Sequence, residues 1–339
     1  MRLRRTLLIT VAAGAALLTA VPLTAAAATA PSVVIAAASA PASAPASACT
    51  TIDTLQPSST APVSAHPVSK TVSESVSQSC GTAAAGLAAT EAQPAAASAV
   101  IPATSAINGY PSVGKFFYNI AGVGKLNCTA SVINDAGNNP KQELVVTAAH
   151  CFKGLYAGLP YYSDDWLFAP EWHNNQFPYG KWAVKSVYID SRWFGCGFTG
   201  CHENPRYDYA VFVVDPQHGH GVGHYTGVNG WHINEPKTAN VRIVGIPGNS
   251  GKALVNVTKS TTVTINPGNY LARKAATPGF GDGSSGGPWF YSFNTSSGVG
   301  LLLGVTGGYE SGGSTDSPSY ASYWTSDFAS LVATAAKHE

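Results

Sequence analysis

The first 109 residues of this 339-residue chain contain no Phe, Trp or Tyr, and all 34 aromatic residues lie at or after Tyr110. Charge is scarce too: Asp, Glu, Lys and Arg make up 11% of the chain, and the net charge is +1. From about residue 105 onward there are 15 Lys+Arg and 15 Asp+Glu. That balance excludes a broad electrostatic attraction to nucleic acid or to an anionic membrane surface. Beyond the N-terminus no stretch approaches the roughly 18 consecutive apolar residues of a spanning helix, and no internal repeat is visible. Residues 31–104 carry only Asp53, Lys70, Glu74 and Glu91 as charges, in a background of Ala, Ser, Pro, Thr and Val. With no aromatics and little charge, such a segment has little to bury, which predicts a flexible or marginally folded stretch.

What is present begins with a processing signal. Met1 to Arg5 is basic, Thr6 to about Leu23 is apolar, and small-x-small cleavage options lie between Ala25 and Ala30. This pattern predicts a signal peptide over 1–30, hence a secreted protein that is soluble once the signal is removed. Gly14, Pro22 and the Ala-rich exit argue against a retained anchor. Arg4-Arg5 loosely matches a twin-arginine signal, from which Leu3 departs. Six cysteines fit an oxidising compartment. By proximity they fall into three pairs: Cys49 with Cys80, Cys128 with Cys151, and Cys196 with Cys201. Their spacings fit no standard zinc finger.

From residue 113 the chain reads as strand, turn, strand. Candidates are Lys115–Ile120, Cys128–Ile133, Glu143–Ala148, Trp182–Ile189, Tyr209–Val214, Val241–Gly245, Ala253–Ile265, Pro288–Tyr291 and Leu301–Thr306. One helix is expected, at the end, where Thr325 or Ser326 caps an apolar stripe of Phe328, Leu331, Val332 and Ala335. Many short strands with Gly-rich turns and one terminal helix predict an all-β barrel or sandwich. His218, His220 and His224 stand close enough to suggest metal, but no carboxylate lies at ligand spacing, and a solvated connector between two domains explains them better.

The chemistry concentrates in Gly283-Ser284-Ser285-Gly286-Gly287-Pro288. Glycines on both sides of a serine allow backbone angles that a Cβ forbids and let N–H groups turn toward an oxyanion. Alone this is a weak signal. His150 follows a strand in Thr147-Ala148-Ala149-His150-Cys151, and Asp208 precedes an apolar strand in Tyr207-Asp208-Tyr209-Ala210. A serine hydroxyl needs an adjacent base, and an imidazole needs a carboxylate to hold its tautomer.

With these motifs the chain resembles the chymotrypsin-type (trypsin-like) serine endopeptidases, most of all a secreted bacterial branch that includes the glutamyl endopeptidases. The likeness covers about residues 111 to 330. It implies two six-stranded antiparallel β-barrels with a site between them, a Cys128–Cys151 bridge, and a His150–Asp208–Ser285 triad. It also implies an oxyanion hole from the Gly283 and Ser285 N–H groups. A substrate region would involve Gly279, Phe280, Asp282 and Thr306-Gly307-Gly308, the last three adding an extended substrate as a strand. No metal or organic cofactor is implied; the expected partners are protein or peptide substrates of a monomeric enzyme. The implied organisation is a signal peptide (1–30), a pro-region (31–104), and barrels over 105–217 and 218–339, the second carrying the terminal helix.

Three departures from the family stand out. Where most members carry Asp before the nucleophile, this chain has Ser284, which cannot pair with a new N-terminal amine. Gly279 gives the pocket base no charge. Val305 and Phe280 replace residues that favour glutamate, and Asp282 repels acidic side chains. Two other readings compete: a catalytically silent binding module on the same barrels, and an α/β-hydrolase esterase using Asp316 and His338 with Ser285. Gly286-Gly287-Pro288 opposes the latter, because the residue before proline avoids the helix that such an elbow needs.

Overall fold

The computed structural model describes residues 50–57, 72–79, 109–135, 141–198, 200–266 and 268–339. The expected signal peptide and the Cys49–Cys80 pair lie outside the described residues. The first sheet system contains β1 (Thr50–Pro57), β2 (Val72–Ser79), β3 (Val113–Ile120), β4 (Gly124–Val132), β5 (Leu144–Thr147), β6 (Lys153–Tyr156), β7 (Leu159–Pro170), β8 (Trp182–Asp190) and β11 (Ala210–Val214). A separate hairpin pairs β9 (Phe194–Gly197) with β10 (Gly200–Glu203). The second system contains β12 (Gly230–Trp231), β13 (Thr238–Gly245), β14 (Leu254–Ile265), β15 (Tyr270–Pro278), β16 (Pro288–Asn294), β17 (Val299–Val305) and β18 (Pro318–Ser322).

The first sheet runs β2-β1-β8-β11-β5-β4-β3-β7-β6, and an added β8–β7 pairing closes six of these strands into a barrel. Every residue of β5 and β11 is buried. These strands read as continuous apolar runs because both faces are covered. Phe116, Phe152, Phe168, Phe212 and Trp166 form an aromatic cluster in the core, with ring centroids 4.8–6.0 Å apart. The second sheet runs β12-β17-β16-β13-β14-β15-β18, with a bridge from Thr306 to Ala321 bringing β18 back beside β17. The expected all-β architecture is therefore present, with more strands than anticipated.

Three of the unforeseen strands lack a clean strand pattern, each for its own reason. In β15, Arg273 is fully buried and breaks the apolar pattern; Glu235, Ser260 Oγ and the Pro236 carbonyl accept its N–H groups at 2.6–2.9 Å. β7 is interrupted by Pro160 and Asp164-Asp165, and β18 is five residues long. The terminal helix α2 (Ser326–Ala335) forms as expected. Thr325 caps it by accepting the Asp327 N–H, and Phe328, Leu331, Val332 and Ala335 are buried. The connector forms a short helix, α1 (Val222–Thr226), whose His224 stacks on His220, just before the helix, at 3.9 Å.

The low-complexity segment departs most from expectation. Residues 50–57 form β1, paired antiparallel with β8, and Ile52 and Leu55 are completely buried. β1 builds no core of its own. It lends two apolar side chains to a core supplied by later residues, which composition counted in isolation does not register.

The two barrels meet at Asn229. Its buried amide donates to Ser112 Oγ, Ser131 Oγ and the Val132 carbonyl at 2.8–2.9 Å, and its carbonyl accepts the Gly300 N–H at 2.9 Å. One side chain thus ties β4 of the first barrel to β17 of the second. Asn229→Ala takes the acceptor from the buried Gly300 N–H and the side-chain donor from Ser112 and Ser131, and is expected to destabilise the protein by about 2–4 kcal/mol. Chemical denaturation with an unchanged m-value would measure it; a loss below ~0.5 kcal/mol would contradict the assignment.

Candidate active site

The site is assembled where strands give way to turns. β5 ends at Thr147, and the single 3-10 turn Ala149–Cys151 carries His150. That turn is fixed on several sides. Cys151 is disulfide-bonded to Cys128 of β4, and Phe152 sits in the aromatic core. The Tyr161 hydroxyl donates to the His150 carbonyl. A second turn, Pro205–Tyr207, is capped by the Asn204 side chain and delivers Asp208 at the entry to β11.

Asp208 is buried, with 1% of its side chain exposed, whereas the His150 side chain is 17% exposed. The carboxylate accepts three N–H groups. Oδ1 takes the His150 backbone N–H at 3.0 Å; Oδ2 takes His150 Nδ1 at 2.7 Å and the Gly308 N–H at 2.7 Å. Burial alone would raise the Asp208 pKa, but His150 and these hydrogen bonds outweigh it and hold the carboxyl below its ordinary value. Burial alone would lower the His150 pKa; the Asp208 charge and hydrogen bond, with a smaller contribution from Glu203, raise it above its ordinary value near 6.5. The pair thus favours an ionised carboxylate against an imidazole of increased basicity, its Nδ1 committed to Asp208.

Ser285 sits on the loop between β15 and β16. Gly283 has φ +90°, and a Cβ there would lie 2.5 Å from the Gly248 N and Asn127 Nδ2 atoms. Gly286 has φ +79°, and its Cβ would fall 1.9 Å from Thr147 Oγ1 and 2.3 Å from the Thr129 carbonyl. The loop therefore rests on the end of β5, two residues before the His150 turn, at a distance only glycine permits. The Thr129 N–H donates to the Ser285 carbonyl at 2.7 Å, Thr129 Oγ1 donates to the Gly283 carbonyl at 2.9 Å, and the Gly248 N–H donates to the Asp282 carbonyl at 2.8 Å. Among the described residues, the Gly283 and Ser285 N–H groups donate to nothing. Beside the serine opens a cleft of about 610 Å³, lined by Phe280, Asp282, Ser284, Ser285 and Glu310 among others.

No protein-family model and no curated protein matches this chain. Solved structures do. The chain is similar to the protease Anisep from Arthrobacter nicotinovorans, at 27% identity and TM-score 0.55, covering 67% of this chain and 96% of that one. It is also similar to the thermostable serine protease AL20 from an extremophilic microorganism, at 20% identity and TM-score 0.50, covering 67% and 97%. The chain has the trypsin-like serine protease fold.

His150 and Asp208 are paired, and the Ser285 loop packs against their strand end. Phe280 and Asp282 line the cleft, Phe280 also packing on the second core. Gly279 is half-buried and not among the residues that line the cleft, and its N–H donates to the Ser314 carbonyl at 3.0 Å. Thr306-Gly307-Gly308 make bonds within the protein. Thr306 Oγ1 accepts Trp289 Nε1 at 3.0 Å, the Gly307 N–H donates to the Tyr320 carbonyl at 3.1 Å, and the Gly308 N–H donates to Asp208. Part of the cleft lining comes from Glu310, Ser311, Gly313, Ser314 and Thr315, and Glu310 and Ser311 adopt φ +50° and +53°. Ser284 is buried and its hydroxyl donates to the Gly281 carbonyl at 2.6 Å, so a local turn holds the loop at the position where relatives place a charge.

The Cys128–Cys151 and Cys196–Cys201 bridges are both formed. Cys128, His150 and Cys151 lie close enough to suggest metal ligation, but both sulfurs are consumed in the disulfide. The esterase alternative fails. Pro288 opens a strand in place of a helix, Asp316 is exposed, and His338 stacks on Tyr188 of β8 at 5.4 Å. Motif reading missed Glu203, which accepts the Leu155 N–H at 2.6 Å from the disulfide hairpin; its adjacency to Cys201 was the available clue.

His150 is expected to titrate above its ordinary value in the folded protein, and Asp208→Asn should bring that midpoint down. The pair stabilises the fold between the two shifted values. The Asp208 contribution is lost as pH falls through its lowered value, the His150 contribution as pH rises through its raised value. Proton NMR of the imidazole measures both; a midpoint unmoved by Asp208→Asn would refute the coupling.

Proposed function

We propose that this protein is an exported serine endopeptidase that cleaves peptide bonds through a Ser285 acyl-enzyme. The observation that carries the proposal is the buried Asp208–His150 pair beside a glycine-built serine loop with two unused backbone donors. In this reading His150 removes the Ser285 proton and later returns it to the leaving amine. Asp208 holds the imidazole tautomer and offsets the positive charge that develops on it. The Gly283 and Ser285 N–H groups stabilise the tetrahedral oxyanion, each contributing roughly 100-fold or more in turnover. The basicity imposed on His150 suits its role as base, and it sets the acid limb of kcat/KM above the ordinary histidine value.

Export follows from the leader motif and agrees with the two disulfides. Among the described residues no helix is long and apolar enough to cross a membrane. Ser284 supplies no charge for a new N-terminal amine, so activation through that ion pair is not part of the proposal. The cleft lining also argues against a preference for glutamate. It contains the carboxylates of Asp282 and Glu310, and no Lys, Arg or His lines it. Basic or neutral side chains are the substrate groups such a cleft accepts, and acidic ones are repelled.

Ser285→Ala is expected to lower hydrolysis of a peptide library by roughly 10⁴-fold or more while leaving the thermal midpoint unchanged. Cleavage-site profiling of the wild-type protein should be depleted in Asp and Glu next to the scissile bond. Asp282→Asn with Glu310→Gln should relax that depletion. No cleavage by the wild-type protein, unchanged in Ser285→Ala, would instead favour a silent binding module, and equal cleavage by both would refute Ser285 as the nucleophile.

A further inference from the structure

β1 belongs by composition to the segment that resembles a removable pro-region, yet its contacts are those of a permanent strand. It pairs with the last residues of β8, in the register Ile52↔Asp190, Asp53↔Ile189, Thr54↔Tyr188 and Leu55↔Val187. The Ser191 N–H extends the ladder to the Thr51 carbonyl at 2.9 Å. β7 pairs only with the opposite end of β8, through Leu167↔Ala183 and Phe168↔Trp182. β1 therefore occupies the β8 edge where β7 leaves it. Ile52 and Leu55 enter the same core as Cys151 and Phe152. Asp53 forms an ion pair with Lys153, their side chains only 4% and 2% exposed. Lys153 begins β6, three residues after His150, and its carbonyl accepts Trp193 Nε1 at 2.8 Å. The outer edge of β1 is covered in turn by β2, from Thr50↔Ser79 to Pro57↔Val72.

Discarding residues 31–104 as a block would strip an edge from the barrel, open its core at two apolar sites and take from a buried lysine the carboxylate it is paired with. Each of these is costly, and the last most of all, because a buried charge that loses its partner keeps its desolvation penalty. We propose that β1 remains bound to the catalytic barrel after maturation, with the β8 edge and Lys153 acting as a docking site for this one strand of the same chain. A cut before Thr50 leaves it covalently attached. A cut between residues 80 and 108, which consumes one water and creates a new carboxylate and amine, yields two chains held together by strand addition and the buried ion pair. The inference does not depend on the protein being a peptidase.

The test uses the full chain, exported and allowed to mature, and analysed by native and denaturing mass spectrometry. Residues 50–57 should be present in every folded mature species, either covalently or as a peptide that separates only on denaturation. A folded species that begins after residue 79, carries no bound peptide and melts at the temperature of the uncut chain would overturn the proposal. A second measurement keeps the question open to refutation if processing is incomplete. In the full chain, Asp53→Leu should lower the thermal midpoint by about 10 °C, and adding Lys153→Met should recover most of that loss. An Asp53→Leu midpoint equal to that of the unchanged protein would equally overturn it.

Discussion

A carboxylate removed from water organises this molecule. Asp208 is buried at the junction of two sheets, where an unsupported charge would be prohibitively unfavourable. It is supported by three N–H groups from two different places in the chain: two from the His150 turn of the first barrel and one from Gly308 at the end of β17 in the second. Satisfying that charge fixes the imidazole ring and the relative position of two turns separated by 158 residues of sequence, His150 to Gly308. The disulfide at Cys151, the Tyr161 hydroxyl and the Pro205 turn are further constraints on the same geometry.

The Ser285 loop depends on a different constraint, close approach. Thr129 holds the carbonyls of Gly283 and Ser285, and its Oγ also accepts the Ile246 N–H at 2.8 Å, so one residue of β4 grips the second barrel at three points. Gly286 lies where no side chain fits. Trp289, buried in the second core and bonded to Thr306, anchors the exit of the loop. With Asn229 below, the two barrels are joined by buried polar bonds whose geometry is directional, which keeps the loop in register with the His150 turn in a way that apolar contact alone does not.

Much of this was legible in the sequence, for identifiable reasons. His150, Asp208 and the Ser285 loop stand at strand ends, and strand ends announce themselves through β-branched runs followed by small or turn-forming residues. The terminal helix was legible because its cap and its apolar stripe agree. Other features were not legible because they depend on partners distant in sequence. Arg273 looks like a surface residue until Glu235 is placed beside it. Gly308 is an ordinary glycine until Asp208 accepts its N–H. Ile52 and Leu55 are two apolar residues in a polar, Ala-rich stretch, and only the β8 edge gives them a core to enter. Glutamate preference, suggested by overall likeness, already lacked support in Val305, Phe280 and Asp282, and Glu310, which shares the cleft with Asp282, could be placed there only by the fold.

The central claim is that Ser285 is an activated nucleophile facing a prepared oxyanion site. The most direct measurement is intact-mass analysis after exposure to a fluorophosphonate, with the adduct mapped by peptide sequencing. The account predicts one adduct per chain, on Ser285, formed much more slowly in His150→Ala and absent in Ser285→Ala. A folded, disulfide-bonded protein that acquires no adduct, or acquires it on another serine, would contradict it.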